Sequence, residues 1–335
     1  MNYASLGDGV RQFQQARQNL SIKTTLNTLV NELSSGEKSD KVKATNGDSS
    51  RFSAIDNRLK VLSSQAFVAK EAQLTLSAMQ TALNNFDAQR GALADQLLPI
   101  TPDSPDFQVT QAAAAGRSRL DGLVTTLNTK LGDDSLFAGT AFDQAALTSS
   151  DAMLADIVTQ IGGATYAATI LSTVDTWFDD PAGGFATLGY TGDTGAQQQK
   201  RLDGDSKIAI EARADDDGIK SVLKGAVIAA LVDDIPGLDK SVKTSLLFEA
   251  GLQLQSAASD VAGIQGRLGY AEEEVERISV AQSAEQAALN IARNLIMQAD
   301  PFDTASELQA VQLQLETHYA MTARLSRLSL SEYLR

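Results

Sequence analysis

TASELQAVQLQLETHYAMTARLSRLSLSEYL, residues 304–334, is the stretch on which the reading of this chain turns. It follows Asp300-Pro301, which ends whatever helix precedes it, and opens with Thr304-Ala305-Ser306-Glu307. That tetrapeptide has the form of a capping box: the threonine hydroxyl takes an orphan N–H and the glutamate reaches back. Leu308, Val311, Leu315, Tyr319, Thr322, Leu325 and Leu328 then fall three or four apart, which places them on one face of a helix. Gln309, Gln312, Gln314, Glu316 and Arg327 carry the other face. A stripe of this kind has to be buried against something, and the best candidate is the beginning of the same chain. There Phe13, Ala16, Leu20, Leu26, Val30 and Leu33 make a second, weaker stripe. The two ends are expected to pair.

Between them the pattern is helical twice over. A first helix is expected from about Val10 to Leu33, closed by Ser34-Ser35-Gly36, and a polar loop from Glu37 to Ser50 is broken by Asn46-Gly47. From Ser53 to Leu98, Ile55, Leu59, Leu62, Ala66, Ala69, Leu76, Leu83, Phe86, Leu93 and Leu97 keep a three–four spacing until Pro99. Another helix follows from about Pro105 to Leu131, with Ser104 as its N-cap and Pro105 at its first position. Residues 139–240 are rich in Gly, Asp and Thr and lose the helical period. Lys207 to Ala212 alternates as a strand does, Ser150–Ile161 and Gly218–Leu231 suit short helices, and Trp177, Phe178 and Tyr190 could form a small core. From Pro236-Gly237 onward the longest helix of the chain is expected. Its line runs through Leu254, Ala257, Val261, Ile264, Leu268, Ala271, Val275 and Ile278, falters at Gln282 and Glu285, and resumes at Leu289, Ala292 and Ile296.

The fold class that follows is mainly α. The N- and C-terminal halves form a long antiparallel helical rod or coiled coil, with a small mixed α/β or β-rich domain inserted. The expected divisions are an N-terminal helix at 1–45, rod at 46–138, insert at 139–240, rod at 241–299 and a C-terminal helix at 300–335. For the central helices the ordinary reading of alanine–leucine stripes is an intramolecular coiled coil. The terminal helices, set off by 37–50 and by Asp300-Pro301, could instead bury their faces between subunits. Periodicity alone does not decide between the two.

Composition narrows the function by exclusion. The chain has 335 residues and a formal net charge of −14, with no basic cluster to meet a phosphate backbone, so nucleic acid is not an expected partner. It has no cysteine and a single histidine, His318, which rules out disulfides, zinc–thiolate sites, HExxH and histidine metal clusters. No glycine-rich phosphate cradle occurs. No cofactor, no metal and no enzymatic activity are expected. Asp215-Asp216-Asp217 and Asp233-Asp234 lack the ligand order of an EF-hand and read as solvated turns next to helix N-termini. His318, next to the apolar stripe, reads as a packing or interface residue. Met1–Val10 has neither a basic n-region nor an apolar run, so no Sec signal peptide is expected. No stretch is long and apolar enough for membrane insertion.

Several short segments carry a family resemblance. Leu328-Ser329-Leu330-Ser331-Glu332-Tyr333-Leu334, preceded by Tyr319 to Ser326, resembles the ending of the flagellin superfamily, and of its hook-associated branch in particular. Leu26 to Glu37 is similar to that superfamily's first helix and its L-S-S-G-K turn, with Glu37 where lysine is usual. Leu136-Phe137-Ala138-Gly139-Thr140 and Gly189-Tyr190-Thr191-Gly192-Asp193 resemble two segments of the hook–filament junction proteins. One departure is Ala88 to Leu93, which lacks the second arginine and the glutamate of the flagellin L-x-R-x-R-E-L patch, so the receptor recognition linked to that patch is not expected.

The resemblance implies a structural protein of the bacterial flagellum, exported through the flagellar type III apparatus without a cleaved signal. It also implies a ring of like subunits between another hook-associated junction protein and the flagellin filament. A cytoplasmic export chaperone would cover the C-terminal stripe beforehand. The terminal segments are implied to be disordered in the monomer and helical in the ring. The residues expected at the assembly interface are Phe13, Leu20, Val30, Leu33, Leu308, Val311, Leu315, Tyr319, Leu325 and Leu328. The rival readings are a filament flagellin and, from another class, a secreted effector or a coiled-coil scaffold.

Overall fold

The structure, a computed structural model, describes residues 4–45, 48–195, 198–204 and 206–333. Within these, the side chains of 4–9, 11, 43, 198 and 325–333 lie outside the description, as does the Asn46-Gly47 break. The chain forms helices α1 (Ala4–Ser35), α2 (Lys41–Ala44), α3 (Ser50–Leu97) and α4 (Asp106–Leu127), then a two-residue hairpin β1 (Lys130–Leu131) and β2 (Asp134–Ser135). Next come α5 (Ser150–Ile161), α6 (Ala167–Asp179), a π turn at Phe185–Gly189, and the antiparallel strands β3 (Gln198–Arg201) and β4 (Lys207–Ile210). The last elements are α7 (Asp217–Asp234), α8 (Lys240–Ser256), α9 (Ala258–Met297) and α10 (Pro301–Tyr333). Among the described residues long helices dominate and the sheets are two small hairpins, which is the mainly α class expected from the periodicity.

The residues group into two compact units, Ser64–Gln282 and Met1–Ser63 with Ser283–Arg335. In the first, α3 and α9 run antiparallel. Gln73 Nε2 donates to Glu276 at 3.3 Å and Gln265 Nε2 to Asn84 at 2.9 Å, and further along α3 Arg90 Nη1 donates to the Leu254 carbonyl of α8 at 3.0 Å. Leu76, Met79, Leu83 and Phe86 are fully buried on α3, and Val261, Ile264, Leu268, Val275 and Ile278 are buried on α9. At about 25 cal/mol per Å² these apolar side chains are the main term holding the pair together.

One expectation about these helices needs correction. The longest helix is α3, at 48 residues, because the C-terminal run is interrupted at Ala257, which separates α8 from the 40-residue α9. The faltering line on α9 has a local cause. Gln282 is buried and donates from Nε2 to the Leu202 carbonyl, in the turn between β3 and β4, at 3.1 Å, and Glu285 makes a two-bond ion pair with Arg58 at 2.6 and 2.7 Å.

Residues 139–240 share one hydrophobic core with α3, α4, α8 and α9. The helix at 150–161 and the strand from Lys207 lie where the pattern places them, and α7 covers the expected 218–231. α6 was not legible, and it carries Trp177 and Phe178 into an aromatic cluster with Phe185 and Tyr190. Trp177 Nε1 donates to Asp156 at 2.7 Å, which satisfies the one polar atom of the ring. α7 lies so close to α4 that a Cβ on Gly116 would sit 2.6 Å from the Ala229 Cβ.

Leu136–Thr140 and Gly189–Asp193, about 50 residues apart, meet in the fold. Asp193 N donates to the Ala138 carbonyl at 2.9 Å, the Tyr190 hydroxyl donates to the Asp193 carbonyl at 3.2 Å, and the Thr140 hydroxyl bonds the Asp193 carboxylate. Gly139 has φ +67°, and a Cβ there would lie 2.7 Å from the Asp193 carbonyl oxygen, so a side chain is excluded twice over.

Candidate assembly interface

In the second unit the two chain ends are joined by backbone before they are joined by side chains. α1 stops at Gly36, whose φ of +72° is the left-handed cap conformation. Lys38 N then donates to the Met297 carbonyl at 2.7 Å and Ala299 N to the Gly36 carbonyl at 2.9 Å, an antiparallel bridge centred on Glu37 and Gln298. α10 starts from the same place. Its first turn is capped by Asp300, whose Oδ1 accepts from Phe302 N at 2.8 Å and Asp303 N at 3.3 Å, with Pro301 at the first helical position. Thr304 is therefore not the cap. Its hydroxyl donates to the Asp300 carbonyl at 2.7 Å, inside a turn that has already begun. Ser104 is displaced in a similar way: its Oγ accepts from Thr101 N at 3.0 Å, and α4 has no side-chain cap.

From this bridge α1 and α10 run side by side in opposite directions. Leu308, Val311 and Leu315 are half-buried and lie on the expected stripe. The line then continues through His318 and Thr322 rather than Tyr319, which is 46% exposed. Tyr319 lies beside the seam, with Lys23 Nζ 5.8 Å from its ring centroid. Hydrogen bonds from Lys23 and then Asn19 hold its phenol below the ordinary tyrosine value. Leu325 and Leu328 fall on α10, but their side chains lie outside the described residues.

On α1 the seam is a line that sequence reasoning missed: Gln15, Asn19, Ile22, Leu26 and Leu29. Ile22 and Leu29 are each 5% exposed, whereas Phe13 is 70%, Leu20 68%, Val30 43% and Leu33 40% exposed. Phe13 and Leu20 point away from α10. The expected stripe followed the large apolar residues, but the heptad line shares only Leu26 with it, and two of its five positions are polar. The 4–3–4–3 spacing was the available signal.

The helix pair is thus amphipathic on more than one side. Phe302 (80% exposed), Leu313 (65%) and Met321 (60%) stand out from α10, and Phe13 and Leu20 from α1. Ala310, Leu313, Thr317 and Met321 line an open groove of about 390 Å³ together with Gln18 and Ile22. In His318 the Nδ1 atom is buried without a partner among the described residues. Among the described residues, no cluster of three His, Asp or Glu side chains could hold a metal ion, and no helix is long and apolar enough to cross a membrane.

Taken together these features define a protein of long antiparallel helices whose two ends pair. No family model matches the sequence, and no curated protein does. Among solved structures, the chain is similar to a candidate flagellar hook-associated protein from Vibrio parahaemolyticus. The TM-score is 0.51 at 11% identity, over 73% of this chain and 95% of that one. At that identity the likeness shows the fold.

Proposed function

We propose that this chain is a structural subunit of the bacterial flagellum that joins the hook to the flagellin filament. The observation that carries the reading is the α1–α10 pair, built from the two ends of the chain and bearing uncovered Phe13, Leu20, Phe302, Leu313 and Met321. Exposed apolar side chains on paired terminal helices suit burial between subunits. The fold likeness and the order of the resembling segments add the flagellar context. The subunit passes through the flagellar type III apparatus, with a chaperone covering the C-terminal stripe, and forms a ring of like subunits outside the cell. The ring contacts the other junction protein on one side and flagellin on the other, and the protein has no catalytic role.

Deletion of the gene, with electron microscopy of the cells and a blot of the medium, tests this. Bare hooks with flagellin shed as monomer are expected. Intact filaments would overturn the junction role and return the chain to a minor filament subunit or an unrelated scaffold.

A further inference from the structure

The pair formed by α3 and α9 has two flanks, and among the described residues one is covered and the other open. On the covered flank lie β3 and β4: Lys200 Nζ reaches Glu71 at 2.7 Å, Gln282 holds the turn, and Ile208 and Ile210 are buried. On the opposite flank, Lys70, Gln73, Leu74 and Ser77 of α3 face Gly269, Glu272, Glu273 and Glu276 of α9 across an open groove of about 610 Å³. Leu74 is 59% exposed there, and Phe67, seven residues earlier on α3, is 71% exposed. Three carboxylates stand against one lysine. None of the three is in an ion pair among the described residues, although Glu276 accepts from Gln73.

The covered flank has the complementary chemistry on its outer side. Register places Arg201 directly opposite Lys207 and Gln199 opposite Ala209. Ile208 and Ile210 face the core, so these four side chains share the outward face. Arg201 and Lys207 are both exposed, and among the described residues neither has a carboxylate partner. Two cations directly opposed across strands repel, as do three carboxylates on adjacent helical turns. Each surface is relieved by the other.

We propose that the outward face of this hairpin in one copy of the chain docks in the α3–α9 groove of a second copy. Arg201 and Lys207 meet Glu272, Glu273 and Glu276, and the aliphatic stems of the two cations cover Leu74. Donor and acceptor surfaces lie on opposite flanks of the same helix pair, so the contact is head-to-tail and repeats from copy to copy. The inference rests on the reading that copies of this chain assemble, and it adds a contact within Ser64–Gln282 to the burial of the terminal helices between subunits.

The absence of native cysteine makes a direct test available. Full-length Ala209→Cys and Ser77→Cys chains are prepared, mixed at high concentration and oxidised. The mixture is expected to give cross-linked dimers that neither single variant gives, and a chain carrying both cysteines a ladder of higher species. Within that pair, reversing either surface (Arg201→Glu/Lys207→Glu, or Glu272→Lys/Glu276→Lys) lowers cross-linking about tenfold, and mixing the two reversed chains restores it. No 209–77 cross-link, reversals without effect, or dimers of equal yield from one single variant alone would each overturn the proposal. The outcome in cells separates it from the flagellar reading. A reversed chain that restores filaments to deletion cells removes this contact and leaves the junction role standing. Intact filaments after deletion, with the cross-link still forming, do the opposite.

Discussion

Lys224 keeps its charge while almost entirely withdrawn from water, and its neighbours account for this. Burial pushes its pKa down, but hydrogen bonds from its Nζ to Asp179 at 2.6 Å and Asp175 at 3.1 Å outweigh that and raise it above the ordinary lysine value. The two carboxylates are more than half exposed, so the partners are unequal. Removing the lysine leaves two anions that water can solvate, whereas removing the anions leaves a buried ammonium alone. Lys224→Met is therefore expected to cost about 1 kcal/mol or less, and Asp175→Asn/Asp179→Asn about 3 kcal/mol. Urea unfolding at neutral pH measures both, and equal costs would mean that the ammonium reaches water without its partners. The pH dependence has a definite sign. With the folded pKa raised, the contribution is complete below about 10.5 and is lost as the pH climbs through the folded value. The gap between wild type and Lys224→Met should narrow as the pH climbs through that alkaline range. None of this was legible beforehand, because Asp175 and Asp179 lie on a helix that the pattern did not reveal. The acidic run at 215–217 was legible as a turn before a helix, whereas Asp233-Asp234 are the last two residues of α7, where Asp234 pairs with Arg117, and not a turn at a helix N-terminus. Asp216 caps α7 through Gly218 N at 3.2 Å and pairs with Arg267 at 2.6 Å, and Asp215 holds Arg213 through two bonds of 2.8 Å.

At the scale of elements, glycines on helices separate close packing from mere tolerance. A Cβ on Gly116 would come within 2.6 Å of the Ala229 Cβ and 2.8 Å of its carbonyl carbon, so α4 and α7 would have to part. A Cβ on Gly263 of α9 would meet nothing within 4 Å. Alanine is favoured over glycine in a helix interior by about 1 kcal/mol. Gly263→Ala should therefore raise stability by up to about 1 kcal/mol, while Gly116→Ala loses that gain to overpacking and falls short of wild type by about 1–3 kcal/mol. Thermal midpoints moving in opposite directions support this, and a stabilised Gly116→Ala would show that α4 and α7 are not in contact through Gly116. The long elements were readable because α3 and α9 carry apolar residues at nearly every seam position, from Leu62 to Phe86 and from Val261 to Ile278. The shorter ones were not. α6 reads Ala-Ala-Thr-Ile-Leu-Ser-Thr-Val, rich in β-branched residues, and is helical because Ile170, Val174, Trp177 and Phe178 are buried together. The caps failed for a different reason: a proline following Asp300 or Ser104 marks a helix start, but only geometry shows which neighbour accepts the N–H.

For the molecule as a whole, the informative fact is that residues some 260 apart, Lys38 and Met297, share a backbone hydrogen bond, and that the two terminal helices leave from that point. Amphipathic ends were enough to anticipate the pairing, though not the face that α1 uses for it. The pair is thinly buried: among the described side chains, only Ile22 and Leu29 of α1 and Thr304 of α10 are inside. Ordering helices of 32 and 33 residues costs backbone entropy that two aliphatic side chains do not offset, so the remaining burial is expected from neighbouring subunits. In full-length protein, Ile22→Asp/Leu315→Asp places carboxylates in the seam, where they cannot be hydrated once it closes. Assembly should be lost. Ser64–Gln282 has its own core, so its thermal midpoint should stay where it is, and the dilute monomer should lose little helical circular dichroism. A large loss of helix in the dilute monomer would mean that the pair is already folded there and that α1 and α10 are each other's only necessary partners. Unimpaired assembly would mean that this seam is not part of the contact between subunits.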